Sequence, residues 1–144
     1  ICSEHRLSYQ NTQELPDITV ENAHITLYAI SCTRFEAAKA VESLKIDGIH
    51  CNLVNILWLK PFDITDRLIQ PLKESKLGLV IDPGHEIAGA SRSIAYELNF
   101  ATECSVKALG LEDRTKCLCP PYKNMAPNAE IICKTVKEML KKGE

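Results

Sequence analysis

The side chains best suited to acid–base chemistry lie in one short segment of this 144-residue sequence, Asp82-Pro83-Gly84-His85-Glu86. The segment follows Leu77–Ile81, an almost wholly apolar run that predicts a central strand buried on both faces. Open α/β sheets carry their sites beyond the carboxyl ends of strands. An imidazole close to carboxylates can act there as a general acid or base. His85 is therefore the candidate catalytic residue.

Three interpretations of this segment stay open. Direct catalysis by His85 is one, but no serine or cysteine lies in a nucleophile-elbow motif, so a hydrolase is not supported. A contact with another subunit or domain through Asp82, His85 and Glu86 is the favoured interpretation. A solvated loop is the third.

The seven cysteines predict reduced thiols. Their number is odd, and Cys51 and Cys133 lie inside apolar runs. Cys117-Leu118-Cys119 lacks the spacing of a zinc site, which uses two or more intervening residues and a second cysteine pair. We therefore expect no structural metal. The expected location is the cytoplasm, or the mitochondrial matrix if the source is a eukaryote.

Other classes of site are excluded by pattern and charge. The first strand-to-helix turn, Ile30-Ser31-Cys32-Thr33-Arg34, has no glycine, so the dinucleotide fingerprint is missing, and no Walker A loop is present. The formal net charge is −2, which does not give the basic footprint of a nucleic-acid-binding domain. No apolar run approaches the roughly 18 residues of a membrane span.

Hydrophobic periodicity predicts the elements that position these residues. The predicted strands are short apolar runs: His24–Ile30, Cys51–Leu57, Leu77–Ile81 and a weaker Ser105–Leu109. The predicted helices start at Thr33, at Asp63 or Thr65, at Ala88 and after Asn128. Thr33 and Asn128 are candidate N-caps, and Pro71 should kink or end the second helix.

The resulting order is β-α-β-α-β-α-β-loop-α. It predicts an α/β fold, a three-layer sandwich with a mostly parallel central sheet, in residues 24–144. Residues 1–23 are polar and without a steady period, so they are interpreted as a linker and the end of a preceding element. The chain begins at Ile1 without methionine, which we interpret as a cut from a longer protein.

Aromatic and basic residues add contact candidates. Trp58 follows the second strand and either packs over a sheet edge or anchors an interface. Tyr122, in the irregular segment around Pro120-Pro121, is a second aromatic anchor. The lysines of the last helix suit the helix macrodipole on a solvated face, with an acidic partner as the alternative: Lys134, Lys137, Lys141 and Lys142.

Four stretches carry a resemblance to a known family: EHRLSYQNTQELPD (Glu4–Asp17), the β-α-β region His24–Asp63, LGLVIDPGHEIAGASRSIAYEL (Leu77–Leu98) and the Pro-rich segment with its closing helix, Leu109–Leu140. Their order and spacing resemble the C-terminal domain of the transketolase-like thiamine diphosphate enzymes. The resemblance is closest to the beta subunit of the 2-oxo acid dehydrogenases. Ser31-Cys32, where the family usually has a glycine, and Asp82-Pro83-Gly84, where it usually has two acids, depart from the pattern.

This resemblance implies a fragment of an enzyme without its active centre. Thiamine diphosphate and magnesium belong to other domains of the parent, so this chain alone should bind no cofactor and be inactive. Residues 1–23 then include the end of a preceding pyrimidine-binding domain. The implied role is subunit association, in a homodimer or an alpha/beta heterotetramer, and docking of the acyltransferase core. The segment Asp82–Ala90 and the C-terminal helix face are the expected contacts.

Three other functions remain as alternatives. The chain could be the C-terminal domain of a transketolase or of a deoxyxylulose-phosphate synthase type enzyme. It could also be a free-standing α/β binding module, or a small enzyme that uses His85. Neither a nucleic acid nor a membrane is expected as a partner.

Overall fold

The computed structural model describes residues 15–114 and 123–142. Strands and helices alternate through these ranges: β1 (Ile25–Ile30), α1 (Thr33–Ile46), β2 (Cys51–Ile56), α2 (Asp66–Ser75), β3 (Leu77–His85), α3 (Ala90–Thr102), β4 (Ser105–Leu111) and α4 (Ala129–Lys142). The predicted order of elements is confirmed. Within the described ranges, no helix has the length and apolar character needed to cross a membrane.

The four strands of these ranges form one parallel sheet in the order β2-β1-β3-β4. Ile25 of β1 pairs with Cys51 of β2, and Thr26 pairs with Gly78 of β3. Parallel neighbours need crossover connections, which the intervening helices supply. The predicted α/β fold with a central parallel sheet is therefore confirmed.

Alternate strand residues enter two separate cores, because successive side chains point to opposite faces of a sheet. Leu27 packs beneath α1 and α4, whereas Tyr28 packs beneath α2 and α3, and both are fully buried. The helices complete the cores with apolar stripes: Ala37, Ala40, Val41 and Leu44; Ile132, Val136 and Met139; Leu68 and Leu72; Ile94, Ala95 and Leu98. Both faces of the sheet are thus covered, as a three-layer sandwich requires.

The third strand is longer than the sequence predicts. β3 continues to His85, which pairs with Leu111 of β4 beyond a register irregularity that follows Ile81. The expectation of a loop beginning at Asp82 is therefore wrong for residues 82–85. Pro83 has no backbone N–H, and an irregularity in the ladder is where a strand tolerates a proline.

Two helix predictions are also corrected. Cys32, rather than Thr33, occupies the N-cap position of α1. α2 does not end at Pro71 but continues to Ser75. Pro71 is buried in the helix interior, and its carbonyl oxygen accepts a hydrogen bond from the Thr26 hydroxyl at 2.9 Å. Packing on the sheet therefore overrides the helix-breaking tendency of proline.

The cap of the last helix is as predicted. Asn128 Oδ1 accepts a hydrogen bond from the backbone N–H of Ile131 at 2.9 Å. An acceptor at this position satisfies one of the N–H groups that the first turn of a helix leaves unpaired.

The described part of the predicted linker packs on the sheet. Ile18 and Leu53 exchange two backbone hydrogen bonds of 2.8 Å in an antiparallel bridge. Asp17 Oδ1 accepts a hydrogen bond from the Asn55 backbone N–H at 2.8 Å, and Asp17 forms an ion pair with Arg67 at 2.6 Å. Residues 15–20 therefore belong structurally to the α/β domain. Residues 1–14 lie outside the described ranges.

Candidate functional site

The carboxyl ends of the parallel strands meet at one edge of the sheet, which we call the carboxyl edge. From β1 the chain crosses to β2 on one side and then to β3 on the other, so the strand order reverses between β1 and β3. Doubly wound sheets bind ligands at such a switch point. The residues at the ends of β1 and β3 therefore determine whether this edge has room for a ligand.

Thr33, the first residue of α1, lies at the switch point. Its hydroxyl lies 2.7 Å from the carbonyl oxygen of Ile30, at the end of β1, and 3.0 Å from that of Ile81, in β3. The residue is 2% exposed. A buried hydroxyl therefore joins the two strands at the switch point.

Asp82 supports the segment between β3 and α3 from inside. Its Oδ1 accepts a hydrogen bond from the Gly84 backbone N–H at 2.8 Å, and its Oδ2 accepts one from Ser91 at 3.0 Å. Ser91 belongs to the first turn of α3, where the helix dipole favours a negative charge. Asp82 is 5% exposed. The contact role predicted for Asp82 is corrected on that ground, because its carboxylate is used internally.

Two glycines allow close backbone approaches here: Gly89 lies within the segment, and Gly110 lies on the neighbouring β4. A Cβ atom on Gly89 would lie 2.0 Å from the carbonyl oxygen of His85, and one on Gly110 would lie 2.7 Å from that of Gly84. Neither distance can accommodate a carbon atom. The segment Asp82–Ala90 is therefore held in one shape by the Asp82 carboxylate and by close backbone approaches.

His85 and Glu86 lie on the outside of this fixed segment and are partly exposed. His85 Nδ1 is 3.2 Å from the carbonyl oxygen of Glu112, just beyond β4. Glu86 forms an ion pair with Arg92 at 2.8 Å. A histidine base is normally oriented by a carboxylate and faces a nucleophile. Within the described residues His85 contacts neither, so the geometry gives it no catalytic partner.

Large apolar side chains are exposed along the same carboxyl edge. Leu57 and Trp58 follow β2 and are 66% and 74% exposed, and Ile87 follows β3 and is 42% exposed. One strand separates β2 from β3, so these strand ends lie about 10 Å apart. A groove of about 390 Å³ lies beside Trp58 and is lined in part by Pro61 and Phe62. Trp58 is therefore not packed over the sheet, and its role as an interface anchor stays a prediction.

The other predicted contacts lie elsewhere. Tyr122 is outside the described residues. On α4, Lys137 forms an ion pair with Asp47 at 2.8 Å, and the hydrogen bond to Asp47 raises the pKa of the Lys137 ammonium group. Lys134 and Lys141 are exposed. The outer face of α4 is therefore exposed to solvent in this chain. Its role as a contact surface stays a prediction.

The cysteines of the described ranges form no disulfide: Cys32, Cys51, Cys104 and Cys133. Burial, with a smaller contribution from the neighbouring Cys133, raises the pKa of the Cys51 thiol to about 12. In these ranges no group of three or more histidine, cysteine, aspartate or glutamate side chains could hold a metal ion. The pair Cys117 and Cys119 lies outside the described residues, so its lack of a metal stays a prediction.

Part of this surface is missed by the sequence analysis. The sequence predicts Leu57 inside a strand and Ile87 inside a segment of contact, and it predicts no exposed apolar face on the third helix. The available signal was an apolar run, Leu57-Trp58-Leu59, that continues past the point where β2 can stay buried. A second signal was the aromatic pair Tyr96 and Phe100, four positions apart on the polar side of a helix.

Comparisons with known proteins agree with this fold. Residues 17–124 match the family described as transketolase, C-terminal domain. The beta subunit of the pyruvate dehydrogenase E1 component of Bacillus subtilis (strain 168) is 22% identical over 128 residues, which cover 86% of this chain and 39% of that protein. The chain thus spans about two-fifths of the length of this curated relative.

Two solved structures share the architecture. A split-gene transketolase, as an inactive beta4 tetramer, gives a TM-score of 0.71 at 18% identity and covers 88% of this chain and 41% of that one. The 2-oxoglutarate:ferredoxin oxidoreductase from Magnetococcus marinus gives 0.59 at 14% identity, with coverages of 93% and 21%. At these identities the likeness shows the fold. The family match, by contrast, extends from the segment paired with β2 to beyond β4, and this chain therefore belongs to the transketolase C-terminal domain family.

Proposed function

We propose that this chain is the C-terminal, non-cofactor-binding domain of a thiamine diphosphate-dependent 2-oxo acid dehydrogenase of the beta-subunit type. Its role is to hold neighbouring domains and subunits together and to help dock the acyltransferase core. Family membership and the similarity to a pyruvate dehydrogenase E1 beta subunit support this assignment. On this proposal the parent enzyme is a homodimer or an alpha/beta heterotetramer of the cytoplasm or the mitochondrial matrix.

One observation carries the assignment of a contact role. The carboxyl edge combines a segment of fixed shape, held by Asp82, with the exposed apolar side chains of Trp58 and Ile87. A preformed surface that mixes aromatic or aliphatic anchors with polar groups is typical of protein interfaces. The partly exposed His85 and Glu86 supply the polar groups of this surface.

The same edge does not fit a catalytic centre. The Thr33 hydroxyl joins β1 and β3 at the switch point, the Asp82 carboxylate accepts hydrogen bonds from two backbone N–H groups, and among the described residues His85 contacts neither a carboxylate nor a nucleophile. These contacts support the placement of the diphosphate and its magnesium ion in other domains of the parent enzyme. Thiamine diphosphate supplies carbanion stabilisation when it is bound in the parent enzyme. No step of that reaction is assigned to this chain.

The test replaces the apolar anchors in the intact parent enzyme. Trp58→Ser combined with Ile87→Ser should weaken co-purification of the subunits or domains and lower activity in proportion to the assembly lost. Ile46→Ser is the matched control, because Ile46 is 87% exposed at the far end of α1, away from the carboxyl edge. Wild-type assembly in the double variant, or equal losses in the control, would contradict the contact role.

A second variant separates contact from catalysis. Changing His85 and Glu86 together to alanine removes an ion pair between partly exposed groups, which contributes about 0–1 kcal/mol, so the domain should stay folded. A loss of assembly supports the contact role. Retained assembly with abolished turnover would instead make His85 catalytic.

The cofactor expectation is tested on the 144-residue chain. Calorimetric titration with thiamine diphosphate and magnesium should show no binding. Micromolar binding would contradict the placement of the cofactor in other domains.

A further inference from the structure

We draw no further inference here: the strongest candidate, the exposed surface patch that the stacked rings of Tyr96 and Phe100 form on the outer flank of α3, carries no proposal because nothing in the described part of the chain shows what covers it.

Discussion

Asp82 and Ser91 are joined by a buried hydrogen bond of 3.0 Å, from the backbone N–H of Ser91 to the Asp82 carboxylate. The other oxygen of that carboxylate accepts a hydrogen bond from Gly84. Asp82→Ala leaves both N–H groups without an acceptor and removes a charge from the start of α3. We expect the free energy of unfolding to fall by about 2–4 kcal/mol, and by about half as much for Asp82→Asn. Urea unfolding, monitored by circular dichroism, measures the change in the free energy of unfolding.

The control for this prediction is another aspartate without such a role. Asp63 is exposed, and Asp63→Ala should change the free energy of unfolding by no more than about 0.5 kcal/mol. If Asp82→Ala behaves like this control, Asp82 does not support the segment between β3 and α3.

Gly89 and Gly48 should respond differently to alanine. At Gly89 the new Cβ would lie 2.0 Å from the His85 carbonyl oxygen, so the backbone has to move, and we expect a loss of about 3 kcal/mol. At Gly48 nothing lies within 4 Å, but φ is +76°, which predicts a loss of about 1 kcal/mol from backbone strain alone. Thermal unfolding compares the two. Gly48→Asn should recover part of its loss, because asparagine tolerates this region, whereas equal effects at both glycines would contradict the close approach.

The Cys51 thiol makes stability depend on alkaline pH. Its ordinary pKa is 9.0, and burial raises the pKa in the folded state to about 12. Between these values the unfolded chain loses this proton and the folded chain keeps it. The contribution is therefore complete below about pH 9 and is lost as pH rises toward 12, by at most about 1.4 kcal/mol per unit.

Cys51→Ala isolates this contribution. The variant is less stable overall because it leaves a cavity, but its free energy of unfolding should fall less steeply with pH than that of the wild type. Urea unfolding between about pH 8 and pH 11 measures both slopes. Parallel slopes would show that the thiol titrates alike in the folded and unfolded chains.

The start of the domain is tested by two truncations. A chain that begins at Leu15 keeps the bridge between Ile18 and Leu53 and the contacts of Asp17. A chain that begins at His24 loses them and exposes the edge of β2. We expect the shorter chain to be less stable by about 2 kcal/mol or more. Equal denaturation midpoints would show that residues 15–23 do not stabilise the domain, as expected of a linker.

Local patterns are enough to predict the elements of this fold. The apolar run Leu77–Ile81 predicts a buried strand, and Asn128 before a periodic segment predicts a helix start, because both signals depend only on neighbours in sequence. The resemblance over Ile25–Leu140 then specifies how the elements are arranged. The family match confirms that identification.

The predictions that are wrong concern places where residues distant in sequence determine the local structure. Thr33 matches an N-cap in sequence, but its hydroxyl lies within hydrogen-bond distance of Ile81, 48 positions away. β3 extends to His85 because β4 lies alongside it, and Pro71 stays helical because Thr26 lies beneath it. These contacts join residues that are far apart in sequence, so no local hydrophobic pattern predicts them. At the candidate site the same limit applies, since the partners of the Asp82 carboxylate are backbone N–H groups, which every residue type except proline carries.

The bridge between Ile18 and Leu53 also limits how far the sheet can grow. Stacking of strands edge to edge is the route to open-ended fibres, and a chain with two free edges can add copies without limit. Here the chain's own N-terminal segment already occupies the outer side of β2 at Leu53. A strand of another chain therefore cannot pair with β2 at Leu53 without displacing this segment. A single short antiparallel contact thus protects one edge of the sheet from edge-to-edge aggregation.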